Sequence, residues 1–366
     1  MVQVVALAGV AIVALAAALL YRAHHRREVL SQGMGRAREM MRADTWAGYK
    51  GASEILEPLV AIDAMEAGAL RAQALAMLAA DYRDENAAAA AERLLDAPER
   101  SPEIPPAASL ARAALAMGKG QAGSAATSAA RPGTGADGRV IQGRVALLAG
   151  NPGGAAEFAA EALASDPTLP AALALQGDGM RRTGKPEGAR QAYLAALQAS
   201  PTHPRAAFGL AKLALSGKAR PEEAYPALER LLADRAGTPP NERARAALHL
   251  AALQGRAGDR AGAQRTLDAS GATGAGRDWL EKAVAEEELT RGAYRVVAGA
   301  PAGLLSASDD DPYVAAPPPP PPEPKKVVEK KAVAAKKAPA KPTSTAKSTG
   351  AKPPPKKSGK STAKKP

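Results

Sequence analysis

The residues able to do chemistry are few and poorly placed for it. Four histidines occur, His24, His25, His203 and His249. A two-histidine helical metal site needs the second ring three or four residues away, so that both share one face, and no pair of the four is so spaced. The 366 residues include no cysteine. That excludes thiolate metal sites, cysteine nucleophiles, disulfides and a lipidated N-terminal cysteine. "GKGQAG" (Gly118–Gly123) fits a phosphate-cradling glycine pattern letter for letter. Such a loop works only between a strand and a helix, and no strand pattern precedes it. The acidic runs Glu286–Glu288 and Asp309–Asp311 read as a solvated helix face and as a linker that holds cations loosely. No nucleophile is set beside a base. The expectation is a chain that is not an enzyme and carries no cofactor and no metal.

The charge points elsewhere. The net +12 lies wholly in the last fifty residues, which hold 14 Lys, no Arg and 2 Glu. The rest is balanced, with 35 basic and 35 acidic residues. The chain is therefore a neutral body with a polycationic tail. The tail, 300–366, opens on an acidic linker and a proline run and continues as low-complexity Lys, Pro and Ala, a composition that cannot bury a core and is expected to be disordered. The proline run is a stiff spacer. Lys325, Lys326, Lys330, Lys331, Lys336 and Lys337 supply point charges without aromatic stacking platforms. That suits a polyanion held without sequence reading: nucleic acid, anionic lipid or a cell-wall polymer. The plainer reading is a solubilising tail.

At the other end, "VQVVALAGVAIVALAAALLY" (residues 2–21) is twenty uncharged residues, about 30 Å as a helix and long enough to span a bilayer. A cleaved signal peptide would need a positive segment before it, and "MVQ" has none. A single-pass signal anchor is the expectation. Arg22, Arg26 and Arg27 follow the run, so the positive-inside rule places the bulk of the chain on the cytoplasmic side of the inner membrane. The Ala/Gly/Arg-heavy usage suggests a bacterial source.

Between the two ends, residues 29–291 read as helices. Apolar residues recur at three and four, as in "LRAQALAMLAADY", and breakers such as "TPPN" punctuate them. Within this stretch "GNPGGAAEFAAEALASDPTLP" (Gly150–Pro170) is echoed by "GKPEGARQAYLAALQASPTHP" (Gly184–Pro204) at an offset of 34. The shared positions pair Gly143 with Gly177, Gly150 with Gly184, Ala155 with Ala189, Ala162 with Ala196 and Pro167 with Pro201. Small residues let two helices cross closely, a glycine suits a left-handed helix cap, and a proline stops the second helix. This pattern resembles the tetratricopeptide repeat, a 34-residue helix–turn–helix unit. Weaker units flank the two, starting near Ala67, Pro204 and Ala244. A poorer one holds Ala111, Gly118 and Ala125, and a capping helix is expected at 277–291. The reading is an all-α, TPR-like solenoid of about six to seven hairpins.

The resemblance implies a scaffold, with a concave groove lined by first helices that holds a protein partner. By repeat position that groove offers Arg144, Asp178, Arg205 and Lys212, with Arg181 and Arg182 one turn along. It is mildly basic, which favours an acidic segment; the plainer reading is that these charges solvate an exposed face. The asparagines of the family's carboxylate clamp are missing from the matching positions. The function expected is therefore a membrane-anchored adaptor for protein partners. The alternative is a polyanion tether working through the tail.

Overall fold

A computed structural model describes residues 2–270, with side chains from Leu15 onward except that of Glu99. The expected capping helix at 277–291, the linker and the lysine tail lie outside the described residues. So do most of the side chains of the apolar run 2–21. Among the residues with described side chains, which begin at Leu15 and so leave out most of that run, no helix is long and apolar enough to cross a membrane.

Fourteen helices make up the described region. They run α1 (Val2–Arg42), α2 (Trp46–Val60), α3 (Glu66–Tyr82), α4 (Glu85–Glu99), α5 (Pro106–Gly118), α6 (Ala122–Ala129) and α7 (Gly135–Leu148). Then come α8 (Pro152–Ser165), α9 (Pro170–Arg182), α10 (Pro186–Ala199), α11 (Pro204–Leu215), α12 (Pro221–Ala233), α13 (Pro240–Arg256) and α14 (Arg260–Ala269). Each helix packs on the next, and each odd-numbered helix from α3 also packs on the odd-numbered helix that follows it. The region is thus all-α, with α1–α2 followed by six hairpins, α3–α4 through α13–α14.

The repeat shows in the turns. In each of the six hairpins the turn passes through one left-handed residue: Arg83, Gly120, Gly150, Gly184, Gly217 and Gly258. At Gly150 and Gly184, with φ of +74° and +75°, the first helix ends where the sequence expects it. Proline sets many of the helix starts, both between hairpins and within them: α5, α8, α9, α10, α11, α12 and α13 all carry proline in the first turn, where its missing N–H costs no hydrogen bond. Pro167 and Pro201 follow the ends of α8 and α10, as their spacing requires.

The two helices of a hairpin differ in burial for a physical reason. First helices are covered on most sides. In α13 eleven residues are buried and in α3 twelve; α3 is accordingly small and apolar nearly all round, while α13 also buries Glu242, Arg245 and His249. Second helices bury one stripe, such as Ala155, Ala159 and Ala162 in α8. The small residues sit where helices cross. Ala155, Ala162, Ala189 and Ala196 are fully buried. A Cβ on Gly143 would come within 2.4 Å of Leu175, and one on Gly177 within 2.5 Å of the Tyr193 ring.

The apolar core is not continuous. One large cluster runs from Ala37 to Val145 and another from Ala174 to Leu267. Between them, around α7–α9, lie only two small clusters built mostly of alanine with Val140, Leu147, Leu169 and Leu175. The apolar clusters around α7–α9 are thus small, and Arg144 and Asp178 are buried among them.

Candidate functional site: a buried charge cluster and the cavity beside it

The site begins at the three-residue turn that ends α1. Thr45 caps α2 by accepting from the Gly48 N–H at 3.1 Å. Gly48 itself lies so near the Met40 carbonyl that a Cβ would stand 2.3 Å from it. The turn is tight, and Asp44 takes a left-handed φ of 53°, a conformation aspartate tolerates better than most residues. Its carboxylate is thereby turned against the first helices.

Asp44 is 5% exposed. It accepts from Tyr49 Oη at 2.5 Å, from Arg144 Nη2, and from His203 Nε2 at 3.0 Å. The His203 assignment follows from the other ring nitrogen: Nδ1 accepts from the Ala206 N–H at 3.2 Å and caps α11, so Nε2 is left to donate. Neighbouring residues of the turn are fastened too. Ser200 donates to the Ala43 carbonyl at 2.9 Å. Arg42 forks onto Asp166 at 2.6–3.1 Å and reaches Thr168 at 2.8 Å. Three consecutive residues thus hold the α8–α9 turn, the α10–α11 turn and α7, across 100 to 159 positions of sequence. A straight stack with only sequential neighbours could not bring these together, so the stack curls around the end of α1.

From Arg144 the cluster continues along the first helices. Arg144 Nη1 donates to Asp81 at 3.0 Å. Arg205 bridges Asp81 at 3.9 Å and Asp178 at 3.5 Å. Asp178 accepts from Tyr193 Oη at 2.6 Å, and Arg181 lies against both. Three guanidiniums therefore face three carboxylates, and the cluster is neutral. Burial alone would raise the Asp44 carboxyl; the Arg144 charge, with His203 and Tyr49, outweighs it and holds the pKa well below the usual carboxylate range. The same contest, won by Arg205, Arg181 and Arg182, lowers Asp178. The Tyr49 and Tyr193 hydroxyls are pushed up by burial and by the carboxylates they serve.

A second buried pair lies beyond Phe208, where Glu242 accepts from Arg245 at 2.7 Å. The Arg245 guanidinium stacks on the Phe208 ring at 4.1 Å. Here burial wins on both sides: it raises Glu242 and lowers Arg245. It also drives His249 well below its ordinary pKa, helped by Lys212 and Arg245.

The six groove candidates are thus partly brought together. Arg144, Asp178, Arg181 and Arg205 belong to one cluster. Arg182 donates instead to the Leu147 carbonyl at 3.2 Å, and Lys212 is half-buried on α11 beside His249. Asp44, Asp81, Tyr49 and His203 complete the site without having been singled out as groove residues. For Arg144 and Asp178 the signal is a charged residue just after a packing glycine in a first helix, at Gly143–Arg144 and Gly177–Asp178; Asp44, Asp81 and His203 carry no signal of that kind. Among the described residues no group of His, Asp or Glu is arranged to hold a metal ion.

Next to the cluster lies a cavity of about 570 Å³. It is bounded by the last turns of α1 and by α2, α3, α5, α7 and the α8–α9 turn. A much smaller one, about 20 Å³, lies among Asp81, Arg144, His203 and Glu242, with Pro204 and Phe208 also in its wall, room for a single water. No protein-family model matches the chain, and no curated protein matches it.

Proposed function

We propose that this chain is a membrane-anchored, tetratricopeptide-like adaptor that holds protein partners at the cytoplasmic face of an inner membrane. The observation that carries the reading is α1. It is one continuous helix from Val2 to Arg42, about 60 Å at 1.5 Å per residue. Where its side chains are described, Leu15, Leu19, Leu20 and Tyr21 are 59–73% exposed, an apolar stretch that none of the described residues covers. Its last turn is fastened into the middle of the helical stack. A helix apolar at one end and locked to a repeat body at the other is suited to holding that body at a surface. The six hairpins with their shared left-handed turn residue support the repeat reading. The partner is a protein bound by the outer faces or by a rearranged inner face, because the inner charges are already paired.

The test is fractionation of cells expressing the full chain and a variant lacking residues 2–21. The full chain is expected in the membrane pellet, resistant to salt and carbonate, and the deletion in the supernatant. Full chain released by carbonate refutes the anchor. Protection of a C-terminal tag from external protease in spheroplasts is expected; cleavage reverses the orientation. The charge partition also supports a second role, the lysine tail as a polyanion contact. DNA or anionic-vesicle binding that falls steeply with salt and vanishes on deleting 317–366 tests it.

A further inference from the structure

The 570 Å³ cavity lies within the 300–1,000 Å³ range of small-molecule sites. One wall is apolar, formed by Leu70, Met77, Leu110, Val140, Ile141 and Leu169. Its charged lining comes from every bounding element that carries charge: Arg38 and Arg42 of α1, Asp44 of the turn, Glu66 of α3, Asp137 and Arg144 of α7, and Asp166 of the α8–α9 turn. Most of these are already matched. Arg42 is held by Asp166, and Arg144 by Asp44 and Asp81. Glu66 and Arg38 are exposed at the rim. Asp137 is exposed too, but it opens onto the cavity, where the Gln73 amide hydrogen-bonds it, and it makes no ion pair among the described residues. The surrounding protein and the Asp44 charge raise its pKa, against the Arg144 charge and the Gln73 hydrogen bond.

We propose that this cavity binds a small organic cation, an ammonium or guanidinium head on an apolar stem, with the head on Asp137 and the stem along the apolar wall. An anionic head would meet Asp137, Glu66, Asp44 and Asp166 with only Arg38 uncommitted. A neutral apolar ligand would leave the Asp137 charge uncompensated. A cation on a hydrocarbon stem answers both walls at once.

The test uses the full chain in detergent, titrated calorimetrically with hexylamine, hexanol and hexanoate. Hexylamine is expected to saturate one site and to raise the melting temperature, with hexanol and hexanoate at least ten-fold weaker. Asp137→Asn is expected to weaken hexylamine at least ten-fold, with the helical circular dichroism unchanged. Asp96→Asn, an exposed carboxylate on α4, is the charge control and is expected to change nothing. Hexanoate binding as well as hexylamine, hexylamine binding undiminished in Asp137→Asn, or no saturation by about 10 mM (weaker than ~3 kcal/mol) each overturns the proposal.

Discussion

Replacing Asp44 is the sharpest perturbation available. The carboxylate accepts from Tyr49, Arg144 and His203 with almost no solvent contact. In Asp44→Ala, Arg144 keeps only Asp81, and the Tyr49 hydroxyl loses its acceptor. Removing one member of a buried ion pair costs about 3–5 kcal/mol. The stranded hydroxyl is part of that figure, because the groups form one network and do not add. The expected loss is about 4 kcal/mol for Asp44→Ala. For Asp44→Asn, which retains an acceptor oxygen but not the charge, it is about 2 kcal/mol. The assay is urea denaturation of the full chain in a Trp279→Phe background, so that Trp46, one turn from the site, reports alone. Circular dichroism followed in parallel shows whether the two halves unfold together. The pH dependence gives a second reading. The Asp44 carboxyl is depressed in the folded state, so its contribution is complete above the unfolded carboxylate value of about 3.9. Below that the unfolded chain binds more protons and stability falls. Wild type is expected to lose stability as pH drops through 4, and Asp44→Asn to show a shallower fall. If Asp44→Asn unfolds within 0.5 kcal/mol of wild type, the cluster does not hold the turn and the reasoning fails.

Other outcomes follow from the same physics. Gly150→Ala meets open space but a φ of +74°, so it is expected to cost about 1–2 kcal/mol from backbone strain alone. Gly177→Ala has an ordinary backbone but drives a Cβ into the buried Tyr193 ring, expected at about 1–3 kcal/mol. Thermal melts of both check these, and Gly177→Ala should also loosen Tyr193, read by near-UV circular dichroism. For the Glu242–Arg245 pair, where burial penalises both partners, Glu242→Leu alone is expected to cost about 3–5 kcal/mol. Glu242→Leu with Arg245→Met is expected to be neutral or stabilising. A double variant as damaged as the single shows that the pair is worth more than its desolvation. Because the Glu242 carboxyl is raised in the folded state, its penalty is present at neutral pH and relieved on acidification, opposite in sign to Asp44.

What could be read from the chain alone follows the range of the forces involved. Gly150 and Gly184, the prolines that open helices, and Ala155, Ala162, Ala189 and Ala196 all act on their own hairpin or the next. Their spacing therefore gives the helix pairs before any coordinates. The start of α13 at Pro240 rather than Ala244 reflects a longer connection, led by "TPPN", between weak units. The Asp44 cluster is of another kind. Arg144 and Asp44 are one hundred residues apart, and no local rule links the end of one helix to the ninth residue of a distant unit. Even so, Arg144 and Asp178 stand at the same repeat position, each just after a packing glycine. Charges at that position are the one trace in the sequence of the buried electrostatic cluster.

The fastening of the turn at residues 42–44 has a mechanical consequence. In a simple stack, tension applied at one terminus enters through the first unit and peels the units off in order. Here a pull on the apolar end of α1 arrives at Arg42 and divides. Part runs along the backbone into α2, and part crosses through Asp166, Ser200 and His203 into the fourth and fifth pairs of helices. The hydrogen bonds at the crossing must break together rather than in turn. The body therefore resists as a closed loop with a clasp, and a displacement of its anchor is transmitted to its middle before its beginning.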